Sequence, residues 1–158
     1  MIPCYLGLGS NLDNPIQQIQ TALKALAALP NTQFKKASPI YQSLPAETPR
    51  PQPIYHNAVV LIETYLSPEA LLTQCHNIEY NQKRVRVKRF DARTIDIDIL
   101  LYGTNTINTK TLTIPHPRLQ DRDFVLRPLL DLWPEASLPD GTSLMLSLKT
   151  LKSYYIPI

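Results

Sequence analysis

Asp96 and Asp98 are separated by one isoleucine inside TIDIDILLY (94–102). Side chains alternate across a strand, so the two carboxylates project from one face about 6–7 Å apart. Ile95, Ile97, Ile99 and Leu101 then fall on the opposite, core-facing side. Two neighbouring anions raise each other's pKa unless a cation compensates. Mg²⁺ meets that need, because it takes carboxylate oxygens and keeps positions for water and substrate phosphates. The plain alternative is a solvated acidic face, or pairing with Arg93 and its neighbours.

The residues just upstream favour phosphate. KRVRVKRFDAR (83–93) holds six of the sixteen Lys and Arg residues, among them Arg84, Arg86, Lys88, Arg89 and Arg93. Guanidinium groups clamp phosphate oxygens in a bidentate fork while Mg²⁺ bridges the same oxygens from another side. Phosphoryl transfer rests on that positioning and charge neutralisation. The net charge is only +3, so cations gathered in one segment point to a local anion site and not to a general polyanion surface. Other nucleotide signatures are missing. No G-x-x-x-x-G-K-[ST] is present, and Gly7-Leu8-Gly9 meets Leu12 where a dinucleotide fingerprint needs its third glycine. His56, His76 and His116 form no HExxH, and no serine sits in a G-x-S-x-G elbow. His116, between Pro115 and Pro117, lies on a stiff segment able to aim an imidazole.

The elements that must hold these groups follow from periodicity. IPCYLGL (2–8) predicts a buried strand closing at Gly9-Ser10-Asn11. Asp13 or Asn14 caps a helix with Pro15 at its first position and Ile16, Ile19, Leu23 and Leu26 on its apolar face, ending at Pro30. Residues 33–43 are extended, and the proline-rich stretch 43–54 is one long ordered loop. HNAVVLIETY (56–65) is a strand. Ser67 caps a second helix with Pro68 first and Leu71, Leu72, Cys75 and Ile78 inward. With the strand at 94–102 the order is βαββαβ, which predicts an α+β fold: a ferredoxin-like sandwich with helices on one face of an antiparallel sheet. A short hairpin at 104–114 and additional C-terminal helices near 123–132 and 143–152 follow, with a turn at Asp140-Gly141.

A chain of 158 residues with 44% hydrophobic composition predicts one domain over 1–158. No apolar run reaches the roughly 20 residues of a membrane span, and MIPCYLGLGSN lacks a signal peptide's basic start and apolar run. Cys4 and Cys75 form neither a CxxC nor a zinc spacing, so reduced thiols and a cytoplasmic location are expected.

YLGLGSNL (5–12), PIYHNAVV (53–60), RTIDIDILLYG (93–103), IPHPRL (114–119) and RDFVLRPLLDLWP (122–134) resemble, in order and spacing, the 6-hydroxymethyl-7,8-dihydropterin pyrophosphokinases of folate synthesis. The resemblance implies transfer of pyrophosphate from ATP to the pterin hydroxymethyl oxygen, with AMP released. It implies that Asp96 and Asp98 hold two Mg²⁺ ions on the triphosphate, and that Arg84 and Arg93 are catalytic arginines supported by Arg86 and Arg89. It further implies nucleotide contacts from Glu79, His116 and Arg122, and a pterin site formed by Ser43, Leu44, Tyr55, Asn57 and Phe124. The expected partners are ATP and the pterin, with no nucleic acid and no membrane, for a monomer. The chain departs from a better-known member at His76, Phe90 and Asp91-Ala92, where that member carries glutamine, tryptophan and Gly-Pro. An RNA-binding module on the same sheet architecture, or a Mg²⁺-dependent nuclease using the two aspartates, are the rival readings.

Overall fold

In the computed structural model, residues 1–44, 53–82, 94–153 and 155–156 are described. Strand β1 (Ile2–Ser10) runs two residues beyond its predicted end and buries Cys4, Leu6 and Leu8. Helices α1 (Pro15–Ala27) and α2 (Pro68–Gln82) cover that face. On α1 the buried stripe is Ile19, Ala22 and Leu26; Ile16, in the first turn, is 46% exposed and outside it. Asn14 occupies the N-cap position but not as a side-chain cap. Its backbone is left-handed (φ 62°), whereas a capping side chain needs an extended backbone. Its amide instead donates to Gln17 Oε1 at 3.0 Å. Ser67 does cap α2, accepting the Ala70 N–H at 3.2 Å.

Strand β4 (Tyr55–Thr64) pairs antiparallel with β1. Its other edge is shared by β2 (Thr32–Ala37) and β3 (Tyr41–Ser43). The extended stretch expected at 33–43 is thus two strands, broken around Ser38-Pro39, where proline has no N–H for the ladder. Ser38 bridges the break, donating its N–H to Val59 O at 2.8 Å and accepting the Val59 N–H on Oγ at 2.9 Å. Strand β5 (Asp96–Tyr102) pairs with the far edge of β1. After the ladder of β6 (Ile107–Asn108) and β7 (Thr113–Ile114) within the expected hairpin come α3 (Asp123–Leu132) and α4 (Leu144–Lys149). Finally, β8 (Tyr155–Ile156) joins β3. The order β5-β1-β4-β3-β8, antiparallel throughout, is the ferredoxin-like α+β arrangement.

Three further expectations need correction. Helices cover both faces of the sheet: α3, α4 and a 3₁₀ turn (Leu119–Asp121) bury Val59, Leu100, Leu101, Leu126, Leu129 and Leu144 in a second core. Tyr5 stacks on Trp133 beside it, with ring centroids 5.6 Å apart. Leu101 belongs to this second core and not with Ile95, Ile97 and Ile99. The β1–β5 register pairs Leu6 with Ile99 but Tyr5 with Leu101, leaving Leu100 as an extra residue. Such a bulge shifts the alternation by one, so Leu101 faces α3 and Tyr102 returns to the first core. Helix α4 ends at Lys149, short of the expected 152.

Candidate functional site

Three strands set the site. Gly9 on β1 is the register partner of Asp96 on one side and Asn57 on the other; the next row is Asp98, Gly7 and Val59. These side chains share the face opposite α1 and α2, since Leu6, Leu8, Ile97, Ile99, Ala58 and Val60 fill the first core. At a strand spacing of about 4.8 Å, the Asp96 and Asn57 backbones stand roughly 10 Å apart with one glycine between them. Over Gly7 lies the Leu100 side chain, 3.4 Å from where a Cβ would stand; over Gly9 only Asn57 Oδ1 comes as near, at 3.2 Å. Gly9 thus forms the floor of a trench between the Asp96 and Asn57 side chains, its Cβ position lined by the Asn57 amide oxygen and, at 3.9 Å, the His56 carbonyl.

On the β4 side, Asn57 is 8% exposed and its Nδ2 donates to Ser43 Oγ at 2.8 Å. Tyr55 is half-buried opposite Ser43 in the register, and Leu44, just past β3, is exposed. Helix α3 packs on β3 and β4 and brings half-buried Phe124 to its first turn. The Arg122 guanidinium carbon is 5.9 Å from the Phe124 ring centroid.

On the β5 side, Glu79 of α2 accepts the Ile97 N–H on Oε2 at 2.8 Å. Ile97 lies between the two aspartates on an edge strand whose outer backbone groups must find partners elsewhere. The same edge is held again where the His116 N–H donates to Leu100 O at 3.0 Å. His116 Nδ1 accepts the Arg118 N–H at 3.1 Å, which puts the neutral ring's proton on Nε2. Nε2 is 3.9 Å from Asp98 Oδ2. Burial holds the imidazole below its usual pKa; Asp98 opposes this, while Arg122 and Arg118 add to it. The ring is thus a neutral donor near pH 7.

Ser10 and Asn11, both buried, tie the two halves together. Ser10 Oγ donates to the carbonyl of Thr94, which leads into β5; Asn11 Nδ2 donates to Pro53 O, which leads into β4, at 3.1 Å. The sequence shows these residues only as a turn, although two small polar side chains closing a buried strand were the available signal. Arg118, whose N–H and charge both act on His116, likewise carries no pattern that singles it out. Arg84, Arg86, Arg89 and Arg93 lie outside the described residues, as do 45–52 of the expected loop.

Among the described residues no group of three or more His, Cys, Asp or Glu is arranged to hold a metal. Asp96 and Asp98 offer two carboxylates, so a cation there must take its other ligands from phosphate oxygens and water. That donor set fits Mg²⁺, which binds in this shared way. No helix among the described residues is long and apolar enough to cross a membrane.

Both the fold and the sequence have counterparts among known proteins. The fold matches the HPPK-DHPS protein of Plasmodium falciparum in its pteroate complex, with TM-score 0.76 and 15% identity over 94% of this chain and 44% of that one. A second HPPK-DHPS structure, in complex with substrates, gives TM-score 0.74 over 94% and 43%. The chain thus spans less than half of those longer proteins. It is 46% identical to the 2-amino-4-hydroxy-6-hydroxymethyldihydropteridine pyrophosphokinase of Haemophilus influenzae, over 89% of this chain and 88% of that protein. The same identity holds with the protein of that name from Pseudomonas aeruginosa, over 89% and 86%. Residues 5–134, which include both sides of the trench, match the 7,8-dihydro-6-hydroxymethylpterin-pyrophosphokinase (HPPK) model, and the chain belongs to that family.

Proposed function

We propose that this chain transfers the pyrophosphoryl group of ATP to the hydroxymethyl oxygen of 6-hydroxymethyl-7,8-dihydropterin, giving the pterin diphosphate and AMP in folate biosynthesis. The observation that carries this reading is the row Asp96–Gly9–Asn57. An anionic pair suited to a Mg²⁺-bound triphosphate stands across one intervening strand from a buried amide suited to a heterocycle edge. Family membership supplies the identity of both substrates.

In this reading Asn57, steadied by Ser43, reads the pterin's hydrogen-bonding edge, while Tyr55 and Phe124 supply ring faces beside Leu44. Asp96 and Asp98 hold two Mg²⁺ ions, whose chemistry is to neutralise the triphosphate. Glu79 sets the β5 edge beneath that charge. With its proton on Nε2, His116 offers a donor to phosphate oxygens, and Arg122 approaches them from the start of α3. Arg84, Arg86, Arg89 and Arg93 add guanidinium groups to the phosphate chain. The hydroxymethyl oxygen bonds to the β-phosphorus as the bond from that phosphorus to the oxygen bridging it to the α-phosphate breaks. AMP leaves with that oxygen, and the hydroxyl proton passes to solvent. One domain over 1–158 carries the activity as a cytoplasmic monomer.

Incubating the protein with ATP and Mg²⁺, with and without the reduced hydroxymethylpterin, tests the reading. AMP formation that depends on the pterin is expected. ATP consumption indifferent to the pterin, or cleavage of RNA without ATP, refutes it.

A further inference from the structure

We infer that Gly9 is a specificity-determining position for the transfer, because its missing side chain is the passage between the two half-sites. The register places Gly9 directly between Asp96 and Asn57. Any side chain there rises from the trench floor on the path joining the phosphate side to the heterocycle side. Gly7 does not play this part, since the Leu100 side chain already lies over it. A Cβ on Gly9 would also stand 3.2 Å from Asn57 Oδ1, closer than ordinary van der Waals contact. Asn57 has little freedom to retreat, being buried and bonded through Nδ2 to Ser43 Oγ. One methyl group therefore narrows the passage and displaces the amide.

The backbone at Gly9 does not require glycine. It lies in a regular stretch of β1, and the positive-φ glycines are Gly103 and Gly141. Alanine is compatible with that conformation and lowers the freedom of the unfolded chain, so the fold does not need glycine here and the site does.

This inference rests on the pyrophosphokinase reading, and the experiment separates the two. Wild-type, Gly9→Ala and Gly7→Ala proteins are compared by calorimetric titration with Mg²⁺ and a non-hydrolysable ATP analogue, then with the pterin added to that complex, and by steady-state AMP formation. For Gly9→Ala we expect nucleotide affinity within about threefold of wild type, pterin affinity and kcat each reduced at least tenfold, and a melting temperature within a few degrees of wild type. The lower freedom of the unfolded chain offsets part of the strain on Asn57. Gly7→Ala should lose less of both pterin affinity and kcat. Equal losses of nucleotide and pterin affinity, full activity in Gly9→Ala, equal damage in Gly7→Ala, or a fall in melting temperature that accounts for the lost activity would each overturn the assignment. Failure of the wild-type protein to form AMP would refute the pyrophosphokinase reading itself.

Discussion

Replacing Glu79 tests whether an edge-strand hydrogen bond sets the position of the two aspartates. Glu79 Oε2 accepts the Ile97 N–H at 2.8 Å, and Asp96 is the first residue of β5. The bond therefore secures the end of a strand most exposed to fraying. A hydrogen bond to a charged acceptor contributes about 1.5–3 kcal/mol net, and partial exposure of Glu79 argues for the lower end. Glu79→Ala removes both acceptor and charge. A loss of about 1.5 kcal/mol speeds exchange of the Ile97 amide roughly tenfold, if exchange follows local opening. Looser aspartates should weaken binding of the Mg²⁺–ATP analogue by about three- to tenfold. Glu79→Gln keeps a carbonyl acceptor for the same N–H, so both readings should stay within about threefold of wild type. Amide exchange followed by NMR, with calorimetric titration of the same samples, supplies both quantities. Glutamine and alanine variants equally impaired in nucleotide binding would refute the reasoning, because the charge itself would then be acting on the nucleotide. So would an alanine variant with unchanged Ile97 exchange.

Asp96→Asn and Asp98→Asn should each lower kcat at least a hundredfold at millimolar Mg²⁺, about 2.7 kcal/mol of transition-state stabilisation, with the far-UV spectrum unchanged. Near-normal steady-state rates would remove the metal assignment. Asn57→Ala should weaken the pterin by about 1–3 kcal/mol and leave the nucleotide alone, read by titrating each in turn. Burial pushes the thiols of Cys4 and Cys75 up to about 12 from 9.0. Their folded values exceed the unfolded ones, so stability is intact below about pH 9 and declines as pH rises toward 12, which melts across that range would record. Thiol reagents at about pH 8 should likewise label either residue only after denaturation.

What the sequence made legible was periodic or short-range. Alternation at Asp96-Ile97-Asp98 set the facing of both carboxylates, and Ser67-Pro68 marked the start of α2 correctly. The ferredoxin-like class followed from the βαββαβ succession because antiparallel neighbours and helical crossovers leave few alternatives. The failures lay where distant residues decide. Leu101 changed core because β1 accommodates an extra residue at Leu100, which no pattern within β5 displays. Asn14 has a capping residue's chemistry but a left-handed backbone. A helix near 123–132 was legible, yet nothing local tells that it closes the second face of the sheet. Ser10 and Asn11 reach Thr94 and Pro53, contacts that span 84 and 42 residues of chain.

The extra residue at Leu100 also marks where β5 tolerates a change of length. Within a regular strand, adding or removing one residue inverts every facing beyond it, which for β5 would turn Leu101 and Tyr102 into the wrong cores. Removing Leu100 alone restores plain alternation from Asp98 through Ile99 to Leu101 and Tyr102, with each still facing its present neighbours. The cost falls on the second core, where the buried Leu100 side chain packs over Gly7. Two lengths of this strand are therefore compatible with one architecture, and they differ in how fully the second core is filled above Gly7.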